Sequence, residues 1–289
     1  MTPSPEAATG EIHKSFLFWK RGVYAKCALA LSIATIALYF WHRPAGTANG
    51  GTLLGYSLGV LGLGLIMWLA WFGLRRRHYG GTGLLEGTFS AHVYFGLALV
   101  VVATLHTGFH FHWNVHTLAF VLLLLVVASG IFGVYGFWRY PEMMTRNRAG
   151  MTLSTMTRQL AALDLTCRQL ALTFPDEVVA LVMDATAPVA AGGGWRAIGF
   201  DRVRDEKRRQ NMAVIARVRR ELVEGAGATP AAVLPLVQSL TQRVTLIERL
   251  YRDRQLRLLM LQWRAVHVPL TVALLVALLI HIVVVFYDW

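Results

Sequence analysis

Five stretches of the chain are apolar over a length that can cross a lipid bilayer, and polar or turn-rich segments separate them. A transmembrane helix needs about 20 consecutive, predominantly apolar residues. The stretches that meet this requirement are residues 23–42, 53–74, 90–110, 118–138 and 267–286. The pattern therefore predicts an all-α integral membrane protein with five transmembrane helices.

Residues 142–262, between the fourth and fifth stretches, follow a different pattern. Charged residues are frequent there, and no segment is long enough to span a membrane. Residues 151–174 have the periodicity of an amphipathic helix, with Leu160, Leu163, Cys167 and Leu170 recurring every three or four positions. Further helices are predicted over residues 203–223 and from residue 231 into the last span. No nucleotide-binding fingerprint occurs, so we interpret the segment as a helical insert and not as a separate enzyme domain.

The distribution of basic residues predicts the orientation of the chain. Arg and Lys are concentrated in the N-terminal flank, in the loop between the second and third spans and in the insert. Basic loops lie on the cytoplasmic side of a membrane. We therefore expect a bacterial-type inner membrane protein whose N-terminus and insert are cytoplasmic and whose C-terminus is outside, with the third and fifth spans parallel. The predicted segments are an N-terminal cytoplasmic segment (1–22), transmembrane helices one to four (23–141), the insert (142–262) and helix five (263–289).

The overall composition agrees with a membrane protein. Of the 289 residues, 55% are hydrophobic and 15% are charged, and the formal net charge is +12. A basic soluble protein would suggest nucleic-acid binding, but here the basic residues flank apolar spans and favour contact with anionic lipid. The bilayer is the expected partner and nucleic acid is not. Cys27 and Cys167 lie in different kinds of segment, so we expect no disulfide, and no CxxCH motif for a c-type haem occurs.

The third and fifth spans each carry two histidines that are fourteen residues apart. These are His92 and His106 in one span, and His267 and His281 in the other. Fourteen residues advance a helix by about 21 Å and place both side chains on nearly the same face. Ionisable side chains at membrane depth are costly and indicate function. On parallel helices, His92 would face His267 at an inner level, and His106 would face His281 at an outer level.

The chemistry at each level favours a haem over a bare metal ion. Zinc prefers four protein ligands, whereas each level offers two imidazoles and the spans contain almost no carboxylates, which also weakens an ion-transport interpretation. A haem supplies four equatorial nitrogens and needs only two axial histidines. His110 competes with His106 for the outer ligand position, because it would follow one helical turn later, and the equal spacing favours His106.

Other polar residues near the spans have two interpretations each. Arg75, Arg76, Arg77 and Arg139 could pair with the propionates of the inner haem, or they could only anchor the spans as cytoplasmic basic residues. The outer histidines could hold propionates, line a quinone pocket or bind a metal, or they could be ordinary interfacial residues. These outer histidines are His110, His112 and His116.

The histidine pattern resembles that of dihaem b-type cytochromes, in which a four-helix bundle holds two b haems between two helices that each carry a histidine pair. Cytochrome b of bc complexes, cytochrome b561 and the membrane domain of ferric reductases and NADPH oxidases share this plan. The resemblance covers spans two to five, with the ligand positions at His92, His106, His267 and His281. The chain departs from these families by having no flavin or NADPH domain, no PEWY-like quinol motif, and a large insert.

The resemblance implies a dihaem b-type cytochrome subunit that carries electrons across the membrane. Its partners would be the quinone pool or a soluble electron carrier on one side, and other subunits of a membrane oxidoreductase. Because a catalytic domain is missing, we expect no catalytic residues and no complete active site in this chain. The alternative hypothesis is a membrane anchor or assembly scaffold, in which haem is structural and the insert docks partners.

Overall fold

The computed structural model describes residues 17–42, 51–75, 82–187, 200–225 and 229–287, with only the backbone given for 73–75, 82–85, 200–204, 207 and 225. These ranges are mostly helical and contain no strand, and a short π-helical turn follows the seventh helix. The helices are α1 (Trp19–Trp41), α2 (Leu53–Arg75), α3 (Thr82–His106), α4 (Val115–Arg148), α5 (Leu153–Ala171), α6 (Asp176–Ala185), α7 (Phe200–Arg220) and α8 (Pro230–Tyr287).

Five stretches of helix are long and apolar enough to cross a membrane. They are Trp19–Trp41, Leu53–Phe72 and Glu86–His106, together with one apolar window inside Val115–Ala171 and one inside Pro230–Tyr287. For the described residues, the prediction of an all-helical chain with five helices able to span a bilayer is confirmed. Many apolar side chains on these helices are exposed, as expected of surfaces that contact lipid tails.

The described chain divides into two compact units, and the division falls within α4 and α8. The first unit comprises Met1–Trp138 with Trp263–Trp289, and the second comprises Arg139–Gln262. The predicted bounds of the insert were residues 142 and 262. Each unit has its own buried core.

In the first unit, α3 lies between other helices and packs against both α1 and α2. Further along, buried leucines from four helices form one cluster. They are Leu69 of α2, Leu99 of α3, Leu123 of α4 and Leu274 of α8. Side-chain packing of this kind stabilises helix association within a membrane, where the solvent is as apolar as leucine. The cluster therefore joins the two histidine-bearing helices to α2 and α4.

The end of α3 differs from the predicted end of the third span. The helix ends at His106, because Gly108 and Phe109 adopt left-handed backbone conformations with φ of 57° and 62°. A right-handed helix cannot pass through such residues. His110 therefore lies outside α3. The prediction that His110 follows His106 by one turn on the same helix face is wrong.

The end of α4 also differs from the prediction, which placed it at Arg139 and Pro141. The helix continues to Arg148. Proline removes one backbone donor, but its φ is compatible with a helix. The Glu142 carboxylate forms ion pairs with Arg139 at 3.2 Å and with Arg146 at 2.7 Å. Ion pairs at i,i+3 and i,i+4 spacing stabilise a helix.

The second unit has a hydrophobic core built by α5, α6, α7 and the first part of α8. Its buried members are Cys167, Ala171, Val178, Val182, Ile215, Val218, Leu222, Val233, Leu236, Leu240 and Val244. Helix α6 was not predicted, although Val178 and Val182 lie four residues apart and both are buried in this core; the helix is only ten residues long. Two ion pairs cross the unit, Arg243–Asp164 and Arg148–Asp253, and one partner in each is almost fully buried.

Candidate functional site

The outer histidine level is formed by His106 at the end of α3 and His281 on α8. Their ring centroids are 6.1 Å apart, and their planes are inclined by 84°. A metal–imidazole bond is about 2 Å long, so two imidazoles on opposite sides of one metal have ring centroids about 6 Å apart. The spacing of the His106 and His281 rings would therefore allow both imidazoles to bind one metal ion.

A backbone hydrogen bond orients His106. Its Nδ1 lies 2.7 Å from the carbonyl oxygen of Gly55 on α2. A carbonyl can only accept, so Nδ1 carries the proton and Nε2 has a free lone pair. This is the tautomer that metal-ligating histidines adopt when a second group holds the other nitrogen. One turn along α2, a Cβ on Gly59 would lie 2.8 Å from His106 Cε1, so the imidazole needs a glycine there.

The inner level comprises His92 on α3 and His267 on α8, each seven residues from the leucine of its own helix that belongs to the shared cluster. His267 Nδ1 is 2.8 Å from the hydroxyl oxygen of Ser129 on α4. The Ser129 hydroxyl oxygen is also 2.8 Å from the Val126 carbonyl oxygen, which can take its one proton. In that arrangement the Ser129 oxygen accepts from Nδ1–H of His267, and Nε2 of His267 has its lone pair available.

The remaining histidine of each pair has a buried Nδ1 that finds no hydrogen-bond partner in the described part of the chain. These histidines are His92 and His281. The Phe72 ring lies 5.1 Å from the His92 ring, measured between centroids. His116, in the first turn of α4, lies 4.4 Å from His281 with perpendicular ring planes. Each level therefore combines one histidine whose Nδ1 is hydrogen-bonded with one whose Nδ1 has no partner among the described residues, and His92 has a separate hydrogen bond with the Leu69 backbone.

The inner level also contains two residues that the histidine pattern does not predict, Trp263 and Ser129. The Trp263 ring stacks on His267 with centroids 5.4 Å apart and planes inclined by 27°. Its Nε1–H donates to the Ser129 carbonyl at 2.7 Å. A sequence signal exists for this residue, since Trp263 precedes His267 by four positions and must share its helix face. For Ser129 no comparable signal exists, because its contact depends on how α4 meets α8.

The other predicted site residues stand apart from the two levels or lie outside the described residues. Arg76 and Arg77 are outside the described ranges, and the side chain of Arg75 is not described. Arg139 belongs to the second unit, where its guanidinium pairs with Glu142. His110 is exposed, and its Nδ1 contacts the Gly108 carbonyl in the turn after α3 at 2.8 Å.

Two imidazoles at each level are the donor set that a bis-histidine haem needs. In one imidazole of each level the hydrogen-bond partner is at Nδ1, so that Nε2 could bind a metal; this imidazole belongs to α3 at the outer level and to α8 at the inner level. Comparison of the chain with known protein families, with curated proteins and with solved structures gave no match. Inference about function therefore rests on the residues themselves.

Proposed function

We propose that the chain is a dihaem b-type cytochrome subunit that carries electrons across a membrane. The observation that supports this most directly is the pair of levels, His92 with His267 and His106 with His281, in which a hydrogen bond orients one imidazole of each pair. The four histidines would hold the two haems, His92 and His267 the inner one and His106 and His281 the outer one. A b haem bound in this way would supply one-electron chemistry at its iron.

The chain's own residues would orient the ligands and exclude water. The Gly55 carbonyl and the Ser129 hydroxyl hold the Nδ1 protons, so that the Nε2 lone pairs of His106 and His267 are available. The leucine cluster around Leu99 and Leu274 lies between the two levels and keeps that region apolar. Low polarity around a site is one of the ways in which a protein sets a redox potential.

The surroundings proposed for this subunit follow from charge and composition. The N-terminus and the insert, residues 142–262, would lie in the cytoplasm of a bacterial-type cell, since basic residues are concentrated there. Electrons would pass between a quinone pool or a soluble carrier and other subunits of an oxidoreductase complex. The chain would bind those subunits and the bilayer, and it would not complete an active site alone.

A difference spectrum of the purified chain tests this function. We expect a b-type α band in the reduced-minus-oxidised spectrum, and two haems per chain by pyridine haemochrome assay. His92→Ala or His267→Ala should remove one haem, and His106→Ala or His281→Ala should remove the other. A chain without a b-type band, or with two haems in every one of these variants, would refute the proposal.

Two further histidines provide controls for that experiment. His112 is exposed in the turn between α3 and α4, so His112→Ala should retain both haems. His110→Ala should also retain both, because His110 lies outside α3 and is exposed. Loss of the outer haem in His110→Ala with retention in His106→Ala would instead assign the outer ligand to His110.

The scaffold hypothesis is supported by one observation, the separate hydrophobic core of the second unit. A unit with its own core can serve as a docking module in its own right. The two functions differ in redox behaviour. If the haems are bound but do not change oxidation state during turnover of the assembled complex, the scaffold hypothesis is favoured over electron transfer.

A further inference from the structure

We propose that Ser129 and Trp263 are positioning residues for His267, and that Ser129 sets the electron-donating strength of this histidine as an iron ligand. The inference rests on the proposed function, because it concerns His267 in its role as a ligand of the inner haem. It adds a specific control of the inner redox potential, which the ligand pattern alone does not imply.

When His267 binds iron through Nε2, its Nδ1 carries the proton and the Ser129 oxygen accepts it. The Ser129 oxygen lies 2.8 Å from His267 Nδ1, and the Val126 carbonyl, also at 2.8 Å, accepts the hydroxyl proton. A hydrogen bond from Nδ1–H to an oxygen raises the basicity of the ligating Nε2. A more basic ligand stabilises the oxidised iron, which carries more positive charge, so this bond lowers the reduction potential of the inner haem.

Trp263 contacts both Ser129 and His267. Its Nε1–H donates to the Ser129 backbone carbonyl at 2.7 Å, while its ring stacks on His267. A carbonyl has two lone pairs, so the Ser129 carbonyl can accept this bond in addition to a helical one. One residue of α4 therefore contacts the imidazole through its side chain and the indole through its backbone.

A glycine on α4 leaves room for the Trp263 indole. A Cβ on Gly133 would overlap the six-membered ring of Trp263, whereas a Cβ on Gly130 would lie at an ordinary contact distance of 3.6 Å from His267 Cε1. The observed position of the Trp263 ring thus requires a glycine at position 133, but it does not require one at position 130. This difference offers a matched pair of substitutions on one helix.

The two levels differ in the kind of group that accepts the Nδ1 proton. At the outer level the acceptor is the backbone carbonyl of Gly55, which no substitution removes. At the inner level the acceptor is the side chain of Ser129. A substitution at position 129 should therefore change the inner site alone, and the outer haem serves as an internal reference.

A redox titration of the purified full-length chain tests the proposal, with the inner haem identified as the component that His92→Ala removes. Ser129→Ala should favour reduction of the inner haem by roughly tenfold in the equilibrium constant, about 59 mV for one electron, and should leave the outer haem unchanged. Ser129→Thr keeps a hydroxyl and should retain the wild-type potential. Gly133→Ala should alter the electron paramagnetic resonance signal of the inner haem, and Gly130→Ala should not.

Each outcome is informative. Two haems with an unchanged inner potential in Ser129→Ala would overturn this inference and leave the proposed function standing. A wild-type chain without b haem would overturn both. If Ser129→Ala loses the inner haem altogether, its restoration in Ser129→Thr supports the role of the hydroxyl, and failure to restore it refutes that role.

Discussion

Leu99 of α3 and Leu274 of α8 belong to one buried cluster, and each lies seven residues from both histidines of its own helix. Membership of both midpoints in this cluster sets the register of α3 relative to α8. In this register, His92 faces His267 and His106 faces His281. The register thus depends on apolar packing between the two levels as well as on the histidines.

Removing the Leu99 side chain should destabilise the first unit. Leu99 is 2% exposed, so Leu99→Ala should leave a cavity and cost roughly 2–4 kcal/mol. Leu97, which is 43% exposed on the same helix, provides the control, and Leu97→Ala should cost less than about 1 kcal/mol. Reversible unfolding in mixed detergent micelles measures both. Equal losses in the two variants would contradict a packing role for Leu99.

A methyl group at position 59 should disturb the outer histidine. The Cβ of Gly59→Ala would lie 2.8 Å from His106 Cε1, so the imidazole must move away from the Gly55 carbonyl. We expect loss of the outer haem, or a changed α band, with the inner haem retained. Gly64→Ala on the same helix places its Cβ in open space and should leave the spectrum unchanged. Identical spectra for the two variants would contradict the packing of the His106 imidazole against Gly59.

Removing only one partner of the Arg243–Asp164 ion pair should destabilise the protein more than removing both. Arg243 is 2% exposed and donates to Asp164, which is 24% exposed. Arg243→Met leaves a carboxylate without its partner and should cost about 3 kcal/mol, whereas the double variant Arg243→Met/Asp164→Leu should recover most of that loss. Thermal unfolding of the full chain compares the variants. A double variant no more stable than Arg243→Met would show that pairing is not the cause.

The two cysteines should differ in their reaction with a membrane-permeant maleimide. Cys27 is exposed on α1, whereas Cys167 is fully buried in the core of the second unit. Mass spectrometry of the folded chain should find one label, on Cys27. Cys27→Ser should therefore react only after denaturation, and Cys167→Ser should react like the wild type. Rapid labelling of folded Cys27→Ser would mean that the second unit opens readily.

The proposed orientation can be checked with fusions. Alkaline phosphatase attached after Trp289 should be active in a bacterial host, because the proposed C-terminus lies outside, where its disulfides form. The same enzyme fused after Ala187 should be inactive, since the insert is proposed to be cytoplasmic. Activity at both positions, or at the second alone, would reject the orientation derived from basic residues.

Hydrophobic length and period were sufficient to determine the helical class of the chain and its five membrane-length stretches, because a bilayer imposes one requirement on every spanning segment. The fourteen-residue spacing likewise placed His92 and His106 on one side of α3 from sequence alone, since helix geometry depends only on residue number. The ends of α3 and α4 were missed, because left-handed residues such as Phe109 and a tolerated proline such as Pro141 have weak local signals.

Contacts between helices could be decided only by the tertiary structure. No local pattern connects Ser129 with His267, which are 138 residues apart in the chain, or Gly55 with His106. These pairings depend on the rotation of each helix about its axis, and that rotation is set by the packing of α2, α3, α4 and α8 around the leucine cluster. The tautomer of each hydrogen-bonded histidine follows from those neighbours, and so does the nitrogen that it offers to a metal.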